Sequence, residues 1–259
     1  MPQSRLRYHT SFAAARLCAA TFKPQPRTSN MPNKSQQAGT FAGDKKFGQS
    51  LLHGPEERLK AFLIPLVPAK VETYHLTSMT VLWALLVPVF SILARRNSLW
   101  MFGVCAMIIA QYITDLLDGA IGRLRDTGLI KWGFFMDHFL DFIFLCSMLV
   151  GYALILPQSA RTEVFILISL FAAFMVTSFL SFACTQEFQI AYWGIGPTEM
   201  RIVFIAVDTV IAFIGADWMI PVFPYLITAT VFALFFTVYR THLKLWNRDM
   251  KAKREKETK

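Results

Sequence analysis

Polar sequence is what this chain has least of. Charged residues make up 17% of its 259 positions, against 54% hydrophobic and 14% aromatic. The apolar residues come in long blocks and not in alternation, which argues against an α-helical globule, because too little polar sequence is left to cover such a core. Cysteine is scarce too. Cys18, Cys105, Cys146 and Cys184 have no metal-ligand spacing, and the last three lie inside apolar blocks, where a thiol behaves as a small hydrophobe. No disulfide framework is implied. Acids are absent from residues 1–43, there is no internal repeat, and no stretch reads as a soluble catalytic domain. Any chemistry must be carried by apolar helices or by their ends.

A bilayer-spanning helix needs roughly 20 mostly apolar residues. About six such blocks are present, near 76–94, 99–122, 132–156, 164–184, 200–218 and 222–239. The expected fold class is therefore all-α, a polytopic integral membrane protein. The expected organisation is a basic N-terminal tail over 1–54, a transmembrane domain over 55–246 and a basic C-terminal tail over 247–259.

The net charge of +9 is uneven. Residues 1–60 hold 10 Lys and Arg against 3 acids, residues 240–259 hold 8 against 3, and the stretch between holds 8 against 11. Basic tails of this kind suit an anionic cytoplasmic leaflet and do not by themselves point to nucleic acid. Arg123, Arg125 and Lys131 fall between the second and third spans, and Arg201 begins the fifth. With six spans these positions share a side with both termini, so the positive-inside rule places them in the cytoplasm. Arg95 and Arg96 fall on the opposite side and oppose that assignment.

Residues 1–43 have the composition of an organellar transit peptide, of a disordered tail, or of an over-extended start with Met31 as initiator. Next, "PEERLKAFLIPLVP" sets Leu59, Phe62 and Leu63 on one helical face with Glu56, Glu57 and Lys60 elsewhere. That pattern predicts a short amphipathic helix in the headgroup region, ended by Pro65 and Pro68.

One stretch breaks the apolar pattern: "TDLLDGAIGRLRDTGLIKWGFFMDHFLDF". Asp115, Asp118, Gly119, Gly122 and Arg123 occupy positions i, i+3, i+4, i+7 and i+8, which is one stripe of a helix. Gly133, Asp137 and Asp141 are spaced by four and form a stripe on the next helix. The short connection predicts antiparallel neighbours with the two stripes facing and four carboxylates converging. Like charges in a low-dielectric site need compensation by protons or by cations. Hard divalent metals such as Mg²⁺ and Mn²⁺ take oxygen ligands, and a carboxylate-held pair of them is a recurring device for in-line displacement at phosphorus. Glycines beside the acids let a bulky polar ligand approach the backbone, and Arg123 supplies a fork suited to phosphate. The plainer alternative is wet helix ends whose acids pair with Arg123, Arg125 and Lys131.

"DLLDGAIGR" followed by "GFFMDHFLD" resembles the signature of the CDP-alcohol phosphatidyltransferases, D-x-x-D-G-x-x-A-R, a spacer, then G-x-x-x-D-x-x-x-D. The resemblance covers roughly residues 59–246. Gly122 stands where Ala is usual, and the spacer is one residue longer than the common form. The resemblance implies that Asp115, Asp118, Asp137 and Asp141 hold two divalent ions, Mg²⁺ or Mn²⁺. It also implies that Asp141 takes the proton of the acceptor hydroxyl and that Gly119, Gly122, Arg123 and Gly133 line the CDP site. The implied reaction is attack of an alcohol on the phosphorus of a CDP-linked donor with release of CMP, in phospholipid synthesis. One of the two substrates would be a lipid, and a homodimer is what the family implies.

Other polar residues have two readings each. His138 is either an auxiliary base near the acceptor or a hydrogen-bonded helix histidine. In "WGIGPTEMR", Thr198 as N-cap with Glu199 in the first turn is a sufficient structural account, while "GPTE" with "DH" resembles the choline/ethanolaminephosphotransferase branch. Asp208, inside the fifth span, needs a partner, a proton or a shared polar cavity. Trp100, Trp193, Trp218 and Trp246 sit near span ends as interfacial anchors. A cation or proton transporter using the aspartates as a relay is the rival function. The glycines and Arg123 oppose it, because a cation path needs no phosphate-sized recess with its own positive charge.

Overall fold

The computed structural model describes residues 53–126, 129–185 and 197–258. The N-terminal tail with Met31, Thr127 and Gly128 between the two acidic stripes, and residues 186–196 with Trp193 and Gly196 lie outside the described residues. Among the described residues every regular element is helical.

Helix α1 (His53–Leu63) is the amphipathic segment, with Glu56 in its first turn and Lys60 in its last, the order that suits a helix dipole. It runs into a single tight turn over Ile64–Leu66, with Pro65 inside. Leu63 and Ile64 pack on Leu76, Leu117 and Ile121, whereas Phe62 and Leu66 are turned outward, as a helix lying in an interface requires.

The six apolar blocks all form helices. These are α2 (Thr73–Ala94), α3 (Met101–Arg125), α4 (Ile130–Ile155), α5 (Arg161–Thr185), α6 (Pro197–Ile214) and α7 (Phe223–Glu257). Five of them, all but α6, are long and apolar enough to cross a membrane, and the protein is an integral membrane protein. Helix α6 carries Glu199, Arg201 and Asp208 within 18 residues. Helix α2 starts at a reciprocal cap: the Glu72 side chain takes the N–H of His75, and the Glu72 N–H donates to His75 Nδ1. Helix α3 stops where Asp126 turns left-handed, at φ +48°. The segment from 247 onward, read as a tail, continues as helix to Glu257.

The expected facing of α3 and α4 holds at their acidic stripes, where side chains of the two helices meet. Their backbones approach α2 more closely than they approach each other, and α2 packs along both. Small residues allow this arrangement. At Gly151 on α4 an added Cβ would lie 2.6 Å from Ser91 Oγ of α2, and at Gly122 on α3 it would lie 2.8 Å from Thr73 Oγ1. Helix α6 closes against α3, and α5 links α4 to α7. The core between these helices is built on Val87, Met101, Val104, Ile108, Met148 and Ile211. One anchor also changes role: Trp218 packs against this core with its indole N–H buried and unpaired, whereas an interfacial tryptophan keeps that group wet.

Candidate active site

The acidic stripes of α3 and α4 meet side chain to side chain, with α2 packed on both helices. Asp115 from α3 and Asp137 and Asp141 from α4 bring carboxylate oxygens within 4.8 Å of one another. Asp115 lies ten residues before Arg125, about 15 Å along the helix axis from that end of α3. Asp118, the fourth expected member, is outside this group. It is buried against α2, where Thr77 Oγ1 donates to its Oδ2 at 2.8 Å. Thr73 donates to its backbone carbonyl.

The cation that meets these acids is not one the spacing pointed to. Arg201 Nη2, from α6, donates to Asp115 Oδ2 at 2.6 Å and lies 3.5 Å from Asp141 Oδ1. Its guanidinium also sits over the Tyr112 ring. Arg125, by contrast, is spent on the chain entering α2, donating to the carbonyls of Pro68, Ala69 and Val71. Arg123 is exposed, and its guanidinium lies over Gly119, where a Cβ would come within 3.4 Å of it. With Glu57 and Lys60 of α1 and Ile64 of the turn that follows it, Arg123 lines a recess of about 430 Å³. Gly133 has open space on its Cβ side, so it is free to be approached, while the corresponding side of Gly122 is filled by Thr73.

Gln111, one turn before Asp115 on the same stripe, is a second residue the motif does not name. Its Nε2 donates to Asp141 Oδ1 at 2.7 Å. That bond fixes the amide orientation, since the carbonyl end would repel the carboxylate. Its Oε1 is then buried without a donor. A trio of carboxylates with an orphaned amide oxygen beside it is a set of hard oxygen donors, and it fits a hard divalent cation. Both missed residues carried a signal in the sequence: an arginine and a glutamine inside apolar spans are costly unless used.

His138 Nδ1–H donates to the Phe134 carbonyl at 2.7 Å, and the ring lies between Phe134 and Phe179. The N-cap role expected of Thr198 is corrected. Helix α6 begins at Pro197, a residue pre-set for the first turn, and Thr198 Oγ1 instead donates to Glu56 of α1 at 2.6 Å. Asp208 does not join the trio. It is fully buried one and a half to two turns further along α6, where Tyr152 donates to its Oδ1 at 2.8 Å and its Oδ2 has no partner.

Neither a curated protein nor a solved structure matches the chain. A family model, CDP-alcohol phosphatidyltransferase, matches residues 77–241. That stretch is well over half the chain and includes both acidic stripes, α6 and most of the bundle. The family's enzymes transfer a substituted phosphate group from a CDP-alcohol in phospholipid synthesis and are generally dependent on divalent metal. Nothing supports the transporter alternative. The chain belongs to the CDP-alcohol phosphatidyltransferase family and is a membrane-embedded transferase.

Proposed function

We propose that the cleft between α3 and α4 is where a CDP-linked donor and an acceptor alcohol react, with two ions, Mg²⁺ or Mn²⁺, held by Asp115, Asp118, Asp137 and Asp141. The observation that carries this reading is the convergence of Asp115, Asp137 and Asp141 from two helices. A bound divalent pair neutralises the diphosphate and the charge that develops on the departing CMP.

The chain's own residues divide the remaining work. Asp141 accepts the proton of the acceptor hydroxyl, and Gln111 holds its carboxylate in place. Arg123, extended over Gly119 beside the recess under α1, offers a bidentate fork to the donor's phosphates. Gly119 and Gly133 leave room for the nucleotide, and Gly122 keeps α3 close to Thr73 so that Asp118 stays in register.

The catalytic domain in this reading runs over 55–246, with the cleft open to the cytoplasm, as the basic residues at that end of α3 and in the C-terminal turns of α7 favour. A homodimer is the assembly the family resemblance suggests. The donor is CDP-diacylglycerol or a CDP-amino-alcohol. The deciding experiment is CMP release from the purified protein across a panel of both donor types and of soluble and lipid alcohols. Release with one donor–acceptor pair assigns the substrates. No release with any pair under Mg²⁺ or Mn²⁺ would defeat the reading.

A further inference from the structure

We infer that Arg201 is the resident counter-ion of the carboxylate cleft, surrendering Asp115 and Asp141 when divalent cation binds and then pairing with the donor's phosphate. The inference rests on the reading of the trio as a cation site.

Three observations lead to it. First, a single Arg201 nitrogen reaches both acids, at 2.6 Å from Asp115 Oδ2 and 3.5 Å from Asp141 Oδ1. These are two of the three residues whose oxygens lie within 4.8 Å of one another. A cation bound by the trio therefore draws on two carboxylates that the guanidinium already holds. Second, one guanidinium carries one positive charge and faces at least three carboxyl groups, so it compensates the cleft only in part. Divalent ions do so more fully and win the exchange by charge. Third, Arg201 reaches the cleft from α6, outside the motif helices. The Tyr112 face under its guanidinium, 5.6 Å from the ring centroid, gives the displaced group a cation–π resting place. A freed guanidinium at that position lies beside the diphosphate site and suits phosphoryl oxygens in a bidentate pair. Metal loading and donor binding are then coupled through one side chain.

The test uses the full chain in nanodiscs. Phenylglyoxal modification of Arg201, read by mass spectrometry, is followed without metal, with saturating Mn²⁺, and with Mn²⁺ plus CMP. The expected result is slow modification without metal, at least threefold faster modification with Mn²⁺, and renewed protection when CMP is added. In parallel, Mn²⁺ binding is titrated by the free-ion EPR signal for wild type and Arg201→Gln. The variant should bind Mn²⁺ at least threefold more tightly and melt lower than wild type only when metal is absent. Unchanged or slower modification with Mn²⁺, or Mn²⁺ affinity that is equal or weaker in Arg201→Gln, would overturn the exchange while leaving the cation site standing. Failure of the wild-type protein to bind Mn²⁺ at all would overturn the cation site and the exchange together.

Discussion

Gln111 gives its amide N–H to Asp141 across 2.7 Å while its own carbonyl oxygen stays buried with no donor. A buried acceptor left unpaired costs about 1–3 kcal/mol, so this amide is kept for what it does to Asp141. Gln111→Met retains the volume and removes the bond. The expected outcome is a fall in CMP release of about 10–100-fold, the usual consequence of losing a group that orients a functional ligand. Melting temperature should hold or rise, because the orphaned oxygen is gone. Thermal melting and CMP release measured on the same preparation check both halves.

Metal removal is the simplest prediction. Turnover should vanish in excess EDTA and return with Mg²⁺ or Mn²⁺, since uncompensated carboxylates repel a diphosphate. Full turnover in EDTA would sink the di-metal reading.

Asp141 and Asp118 should fail in different ways. Asp141→Asn keeps shape and an oxygen, so donor binding should survive while turnover falls by about 10²–10⁴-fold, the usual contribution of a positioned base. Asp118→Asn should weaken metal binding and, through it, donor binding, because a charge leaves the cation cage. A metal titration of both activities separates them. If excess metal rescued Asp141→Asn and not Asp118→Asn, the two roles would be exchanged.

Gly122 and Thr73 should behave as a coupled pair. An added Cβ at Gly122 would lie 2.8 Å from Thr73 Oγ1, and that hydroxyl is tied to the Asp118 carbonyl. Alanine gains about 1 kcal/mol of helix propensity over glycine, yet Gly122→Ala should lower the melting temperature. Paired with Thr73→Ala the same change should raise it relative to Thr73→Ala alone. Additive effects in the four-member cycle would remove the steric explanation.

Tyr152 and Asp208 form a structural pair, separate from the reacting centre. Tyr152→Phe strips the single donor from a fully buried carboxyl and should destabilise by about 1–3 kcal/mol. Replacing both, as Tyr152→Phe with Asp208→Leu, should recover most of that loss, because two apolar groups leave nothing unsatisfied. CMP release per folded molecule should match wild type in the double variant.

Much of this was legible in the residues. Run length located all six bundle helices, and spacing by three and four put the acids on two stripes, of which Asp115, Asp137 and Asp141 converge. What spacing does not encode is the route by which helices approach. The short link from Arg123 to Gly133 predicted α3 facing α4, which their side chains do; that α2 packs still more closely on both, at Gly122 and Gly151, is settled by distant side chains. The same limit hid Arg201, whose partner Asp115 is 86 positions away. Thr198 was misread for a local reason: proline at the helix start leaves its hydroxyl available for Glu56.

With α2 packed on both halves of the signature, the motif is not a self-contained hairpin. A fragment holding only α3, its loop and α4 would keep every signature residue and still lack the helix that holds Asp118 through Thr73 and Thr77. Exchanging those two threonines is therefore a way to shift Asp118 while leaving the signature itself untouched.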